Sequence, residues 1–294
     1  MRPKPRRYGR NRVYLDLDRP VPGKKNTWEK IPGVTTLIRE GLPKEVFARY
    51  AGTATAEYAV NNWAELDALP PAERLARLNK GRYENRDKAA DRGQEIHELA
   101  RQLARDAEVP VPKELRGYVT AAVRFMDEFD LRPVAEELAV FSETDYWGGR
   151  LDVIGSVEVP DLDVYDWIPR DDDGRANGLF DYKSGSGIFG ELGFQLGAYR
   201  HAEFAIDEDV PDGADPEIID MPPIDFGAGV HLRPDGTYSV IPVDTSRDVY
   251  DDFLAIKATA DVADRVQGLI LTQIVPPRTA RYRLTLTEPG ASDD

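Results

Sequence analysis

The chain has 294 residues, a formal net charge of −15 and no cysteine. That length buries a core without disulfide or zinc support, and the lack of cysteine excludes a disulfide framework, a thiolate zinc centre, a cysteine-ligated iron–sulfur cluster and a cysteine nucleophile. No stretch reaches the roughly 18 apolar residues of a membrane span, and the basic opening MRPKPRRYGRNR leads into no apolar run, so the expected setting is a reducing cytoplasm with no membrane partner.

The net charge argues against a nucleic-acid partner, because phosphate neutralisation by Lys and Arg supplies much of such binding. Its distribution is uneven, however. Glu203 to Asp225 carries nine carboxylates and no Lys or Arg, residues 1–12 carry six Lys or Arg and no acid, and Arg74 to Gly93 is also net positive. A polarised molecule presents a cationic face whatever its total charge. Each run read alone is equally a solvated surface.

In chain order, residues 1–30 read as a basic arm containing one alternating strand, RVYLDLD, and residues 31–132 as a helical N-terminal segment. Thr35 or Thr36 is placed to cap a short helix, and Pro43 suits the first turn of a longer one running through KEVFARYAGTATAEYAVNNWAEL. Pro70 and Pro71 interrupt it and start another, in which Ala89, Ile96, Leu99, Ala100 and Leu103 keep helical spacing with His97 beside the stripe. A helix after Pro112 sets Leu115, Val119, Val123 and Met126 on one face.

From residue 133 to 294 the pattern becomes mixed. PVAEELAVFSE, GGRLDVIGSVEV and GLFDYKSG read as three strands, IFGELGFQLGAYRHAEFAI as a helix, GAGVHLR and YSVIPVD as strands joined at Pro234-Asp235-Gly236, and Ser246 to Val266 as a last helix. The expected fold is α/β (α+β): a mixed sheet flanked by helices, with a helical N-terminal subdomain.

Three places carry chemistry. Asp181 and Lys183 lie two apart in FDYKSG, so a strand projects both to one face, as a metal-dependent phosphodiesterase needs; an exposed ion-paired strand carries the same pattern. Asp152 sits in an apolar strand after Gly148 and Gly149, where burial requires a partner or a cation. His97 is followed by no second His at zinc-motif spacing, and one imidazole beside carboxylates suits Mg²⁺ or Mn²⁺. Gln195 and Tyr199 share a helix face and are placed to support the Lys or hold a phosphate. Either Glu136 or Glu137 adds a carboxylate, since strand alternation sends only one of them to each face.

Taken together, RGxxxH (Arg92 to His97), GGRLD (Gly148 to Asp152), DYKSG (Asp181 to Gly185) and QLGAY (Gln195 to Tyr199) resemble the ordered motifs of RecB-type nucleases in the PD-(D/E)XK superfamily, including free-standing phage-encoded exonucleases. The resemblance implies a restriction-endonuclease-like fold. It implies that His97, Asp152, Asp181 and the carbonyl of Tyr182 bind the metal, that Lys183 is catalytic, and that Gln195 and Tyr199 support the site or contact DNA; Arg92 and Glu137 are further candidates for supporting the site or binding substrate. Some relatives carry an iron–sulfur cluster, which a chain without cysteine does not hold. The expected function is a Mg²⁺- or Mn²⁺-dependent DNA exonuclease acting on DNA ends in recombination, repair or phage replication, with a possible recombination-protein partner. The alternative is an inactive DNA-binding or recombination-partner protein on the same fold.

Overall fold

The computed structural model describes residues 1–8, 11–25, 27–42, 45–104, 109–207 and 217–266. Strands β1 (Pro3–Tyr8), β2 (Asn11–Pro20) and β3 (Trp28–Ile31) form an antiparallel sheet in that order. Within residues 1–30 the described residues thus form three strands where one was expected: basic composition sets no barrier to strand pairing, and β2 pairs on both its edges. Buried Asp16 is satisfied by the backbone N–H groups of Arg2 and Asp18, each at 3.1 Å.

Helix α1 (Val34–Gly41) begins directly after Gly33 and is capped by neither Thr35 nor Thr36. The expected long helix is broken at Asn62 into α2 (Glu45–Asn61) and α3 (Trp63–Asp67); Pro43 lies outside the described residues. Helix α4 (Pro71–Ala104) follows, and the Arg74 guanidinium closes the turn between them by donating to the carbonyls of Leu66, Asp67 and Leu69 at 2.8, 2.9 and 3.2 Å. Helix α5 (Arg116–Glu128) buries Val119, Ala122 and Phe125, so its inner face is turned slightly from the one expected through Val123.

The strands that follow are β4 (Arg132–Glu136), β5 (Ala139–Ser142), β6 (Trp147–Arg150), β7 (Val153–Glu158) and β8 (Arg175–Lys183). Then come α6 (Glu191–Arg200), β9 (Phe204–Asp207), β10 (Glu217–Ile219), β11 (Phe226–Leu232), β12 (Tyr238–Val243) and α7 (Arg247–Arg265). The helix expected to run on to Ile206 ends at Arg200, because Phe204, Ala205 and Ile206 pair with β5. The centre of the acidic run, 208–216, lies outside the described residues.

A five-stranded sheet, β12-β11-β8-β7-β4, is mixed: β8 and β11 are parallel and the other neighbours antiparallel. A four-stranded sheet, β10-β9-β5-β6, joins it through one long bent hairpin. Two expected strands are each split by that bend: β4 and β7 pair in the larger sheet, β5 and β6 in the smaller. Pairing continues through the bend, since Glu137 N–H donates to the Asp152 carbonyl at 2.7 Å and Leu151 N–H to the Leu138 carbonyl at 3.0 Å. The break is sited at Glu137, whose φ is +54°, an uncommon value for a residue with a Cβ.

The larger sheet buries both faces. Phe180 and Tyr182 of β8 pack with Ile96, Val119 and Phe125 from α4 and α5, while Leu179 packs with Leu196, Tyr250 and Phe253 from α6 and α7. Two-residue alternation then assigns Asp181 and Lys183 to the α6 side of the same strand. Among the described residues, no helix is long and apolar enough to cross a membrane.

Candidate metal and catalytic site

The site forms where the hairpin bend meets the end of β8. The antiparallel register pairs Val153 with Phe180, so one step further Asp152 comes opposite Asp181. The Tyr182 backbone ties the hairpin bend to helix α4: its N–H donates to Asp152 Oδ2 at 2.8 Å, and its carbonyl accepts from His97 Nε2 at 2.9 Å. His97 Nδ1 lies 3.3 Å from Asp152 Oδ1. Both ring nitrogens thus face acceptors. Burial opposes charge on this imidazole, but Asp152 above all, then Asp181 and Glu137, outweigh burial and raise its pKa to about 9.

Asp181 is buried and held from two sides. Gln195 Nε2 donates to its Oδ1 at 2.7 Å, and the Lys183 ammonium lies 2.5 Å from its Oδ2. Lys183 is thus the partner of that Oδ2, as Gln195 is of Oδ1. Burial and then the facing Asp152 push the Asp181 carboxyl up to about 6 against the pull of Lys183. Asp152 is also penalised by burial, yet His97, Lys183 and the Tyr182 N–H bring it below the ordinary carboxylate value. Lys183 is held above its ordinary value, because Asp181 and Asp152 outweigh the cost of burying its charge.

Glu136 and Glu137 both line the cleft beside His97 and Asp152. The alternation expected to separate them fails at the left-handed backbone of Glu137. Arg150 Nε donates to Glu137 Oε2 at 2.5 Å. Among the described residues, His97, Glu137 and Asp152 form a group whose ligating atoms all lie within 4.8 Å of one another. Asp181, expected as a ligand, is not in that triad; its oxygens are engaged by Gln195 and Lys183.

The donor set fits a hard divalent cation. It offers carboxylate oxygens, one imidazole and no thiolate.

The remaining expected residues fall into place unequally. Tyr199 is buried and supports the site from behind, its hydroxyl meeting Gln195 and the backbone of Arg150. Its ring explains Gly149: a Cβ there would lie 2.2 Å from the Tyr199 ring, as one on Gly148 would lie 2.7 Å from Phe141. Arg92 is not brought to the carboxylates; its guanidinium lies over the Tyr118 ring at 5.5 Å. Its neighbour Gly93 instead faces Ser184 of the DYKSG turn. Arg150, as the partner of Glu137, was not singled out in the sequence; its position in GGRLD opposite a strand carboxylate was the available signal.

Compared with known proteins, the chain matches no family model and no curated protein.

Proposed function

We propose that this protein is a divalent-metal-dependent DNA nuclease that hydrolyses phosphodiester bonds, in the exonuclease mode. The observation that carries the reading is the convergence of His97, Glu137, Asp152, Asp181 and Lys183 from α4, the hairpin bend and β8 onto one partly exposed point at the sheet end. The mixed sheet with helices on both faces fits the restriction-endonuclease-like arrangement that the motif resemblance implies.

Asp152, His97 and Glu137 would hold the cation, with Asp181 and the Tyr182 carbonyl as further oxygen donors. A divalent cation bound there supplies Lewis-acid stabilisation of charge on the phosphate. Lys183 reaches past Asp181 with 36 % of its side chain exposed, placed to meet a phosphate oxygen or the attacking water. Asp181 and Asp152 keep the proton on Lys183, and a cation held by the same carboxylates would weaken that hold. Gln195 fixes one oxygen of Asp181, and Tyr199 braces Gln195. Arg74 is occupied as a cap and Arg92 by Tyr118, so less of the Arg74-to-Gly93 charge serves DNA than the sequence suggests.

The test is incubation of purified protein with end-labelled linear DNA and with supercoiled circles, in Mg²⁺ or Mn²⁺ and in chelator. Metal-dependent loss of linear DNA with persistence of circles is expected. Equal rates on both substrates would reject the exonuclease mode, and undiminished cleavage in chelator would reject metal dependence.

A further inference from the structure

Between Lys183 and α6 the chain reads SGSGIFG, residues 184–190, and the nuclease reading gives this loop no task. Ile188 turns inward against β11, where a Cβ on Gly229 would lie 2.7 Å from its Cδ1. Phe189 turns outward and is 63 % exposed. Its backbone is nevertheless fixed. The Phe189 carbonyl accepts from Leu192 N–H at 3.0 Å and the Gly190 carbonyl from Gly193 N–H at 3.0 Å, while His231 Nε2 donates to the Gly185 carbonyl at 2.9 Å. A Cβ added at Gly185 or Gly190 would meet no atom within 4 Å, and one at Gly187 would meet only the Phe189 ring, at 4.0 Å. The anchored loop that follows Lys183 in the chain therefore carries an exposed aromatic ring, with open space at the glycines on either side of it.

We propose that Phe189 is a base-stacking platform, seating an unpaired nucleobase of single-stranded DNA beside the phosphate presented to Lys183. The proposal rests on the nuclease reading and narrows its substrate. A duplex keeps the faces of its bases covered, whereas a single strand offers them to an aromatic ring, and every base has such a face. In a chain of net charge −15, stacking also supplies affinity that needs no phosphate neutralisation.

The experiment compares wild type, Phe189→Ala, Phe189→Leu and Phe189→Tyr on a labelled single-stranded oligonucleotide, on the same strand with one abasic site moved stepwise past the cut, and on a blunt duplex. Phe189→Ala should raise KM for the single strand roughly tenfold with little change in kcat, and Phe189→Tyr should restore it. Phe189→Leu should not. At one position the abasic site should cost the wild type a similar factor and cost Phe189→Ala nothing more. A KM within twofold of wild type for Phe189→Ala, full rescue by Leu, or an abasic penalty unchanged in Phe189→Ala would each overturn the proposal. If the wild type cleaves nothing, the nuclease reading falls by itself. Equilibrium binding of the same oligonucleotides in Ca²⁺ then decides the platform: Phe189- and base-dependent affinity upholds it, and equal affinity of wild type and Phe189→Ala rejects it.

Discussion

The two sides of the site are built differently. His97, Glu137 and Asp152 come from a helix and the two strands of a bent hairpin, with 24 % of the His97 side chain and 15 % of the Asp152 side chain exposed. Asp181, Lys183 and Gln195 come from one strand and the helix after it, around a carboxylate that is only 4 % exposed. A cluster of two carboxylates and an imidazole suits an exchangeable cation, while a partly exposed Lys held against a buried, amide-braced carboxylate suits a group whose position and proton matter. The difference suggests a division of labour: one side supplies most of the donors to the metal, and the other, around Asp181, sets the Lys.

The sharpest break between the two sides comes from Lys183→Ala, expected to lower turnover about 100-fold or more while leaving metal affinity near wild type. Asp152→Asn, on the other side, should lose metal affinity and turnover together. Turnover of Lys183→Ala near the wild-type rate would remove the Lys from the mechanism. Smaller effects sharpen the contrast. Glu137→Gln should weaken metal binding about tenfold, and Gln195→Ala should lower turnover about tenfold at unchanged metal affinity, as groups that orient a ligand commonly do. Calorimetric metal titration beside single-turnover rates separates them, and equal loss of metal affinity in both variants would merge the two sides into one.

Protonation provides a third contrast. An imidazole with a pKa of about 9 is protonated at neutral pH and has to lose its proton to become a ligand. Metal binding should therefore release a proton, and apparent affinity should rise with pH until about 9, then level. Calorimetry in buffers of differing ionisation enthalpy measures this, and a pH-independent affinity would exclude His97 as a ligand. The smallest expected effect is structural. Gly149→Ala sets a methyl against the Tyr199 ring and should cost about 1–3 kcal/mol in thermal or urea unfolding. Unchanged stability would mean that the ring shifts freely, and with it the brace on Gln195.

The sequence showed one side of the site better than the other. Asp181 and Lys183 are legible because a two-residue spacing in an apolar strand fixes their shared face, and the strand, the Pro234-to-Gly236 turn and helix α7 lie where periodicity puts them. The bend was not legible. PVAEELAVFSE and GGRLDVIGSVEV each have continuous strand character, and only the change of sheet at Glu137 and Asp152 breaks them. That bend brings Glu137 to His97 and Asp152, so the third carboxylate stayed ambiguous between neighbours. The apolar run of Phe204 to Ile206 read equally as helix or strand until β5 paired with it, and the basic opening hid a hairpin because charge says little about pairing.

The division of labour is tested most directly by titrating Mn²⁺ into wild type, Asp152→Asn and Lys183→Ala and measuring bound metal in each. Wild type and Lys183→Ala should bind with closely similar affinity, and Asp152→Asn at least tenfold more weakly. Equal affinity in all three would contradict the assignment of the hairpin bend as the metal-holding side.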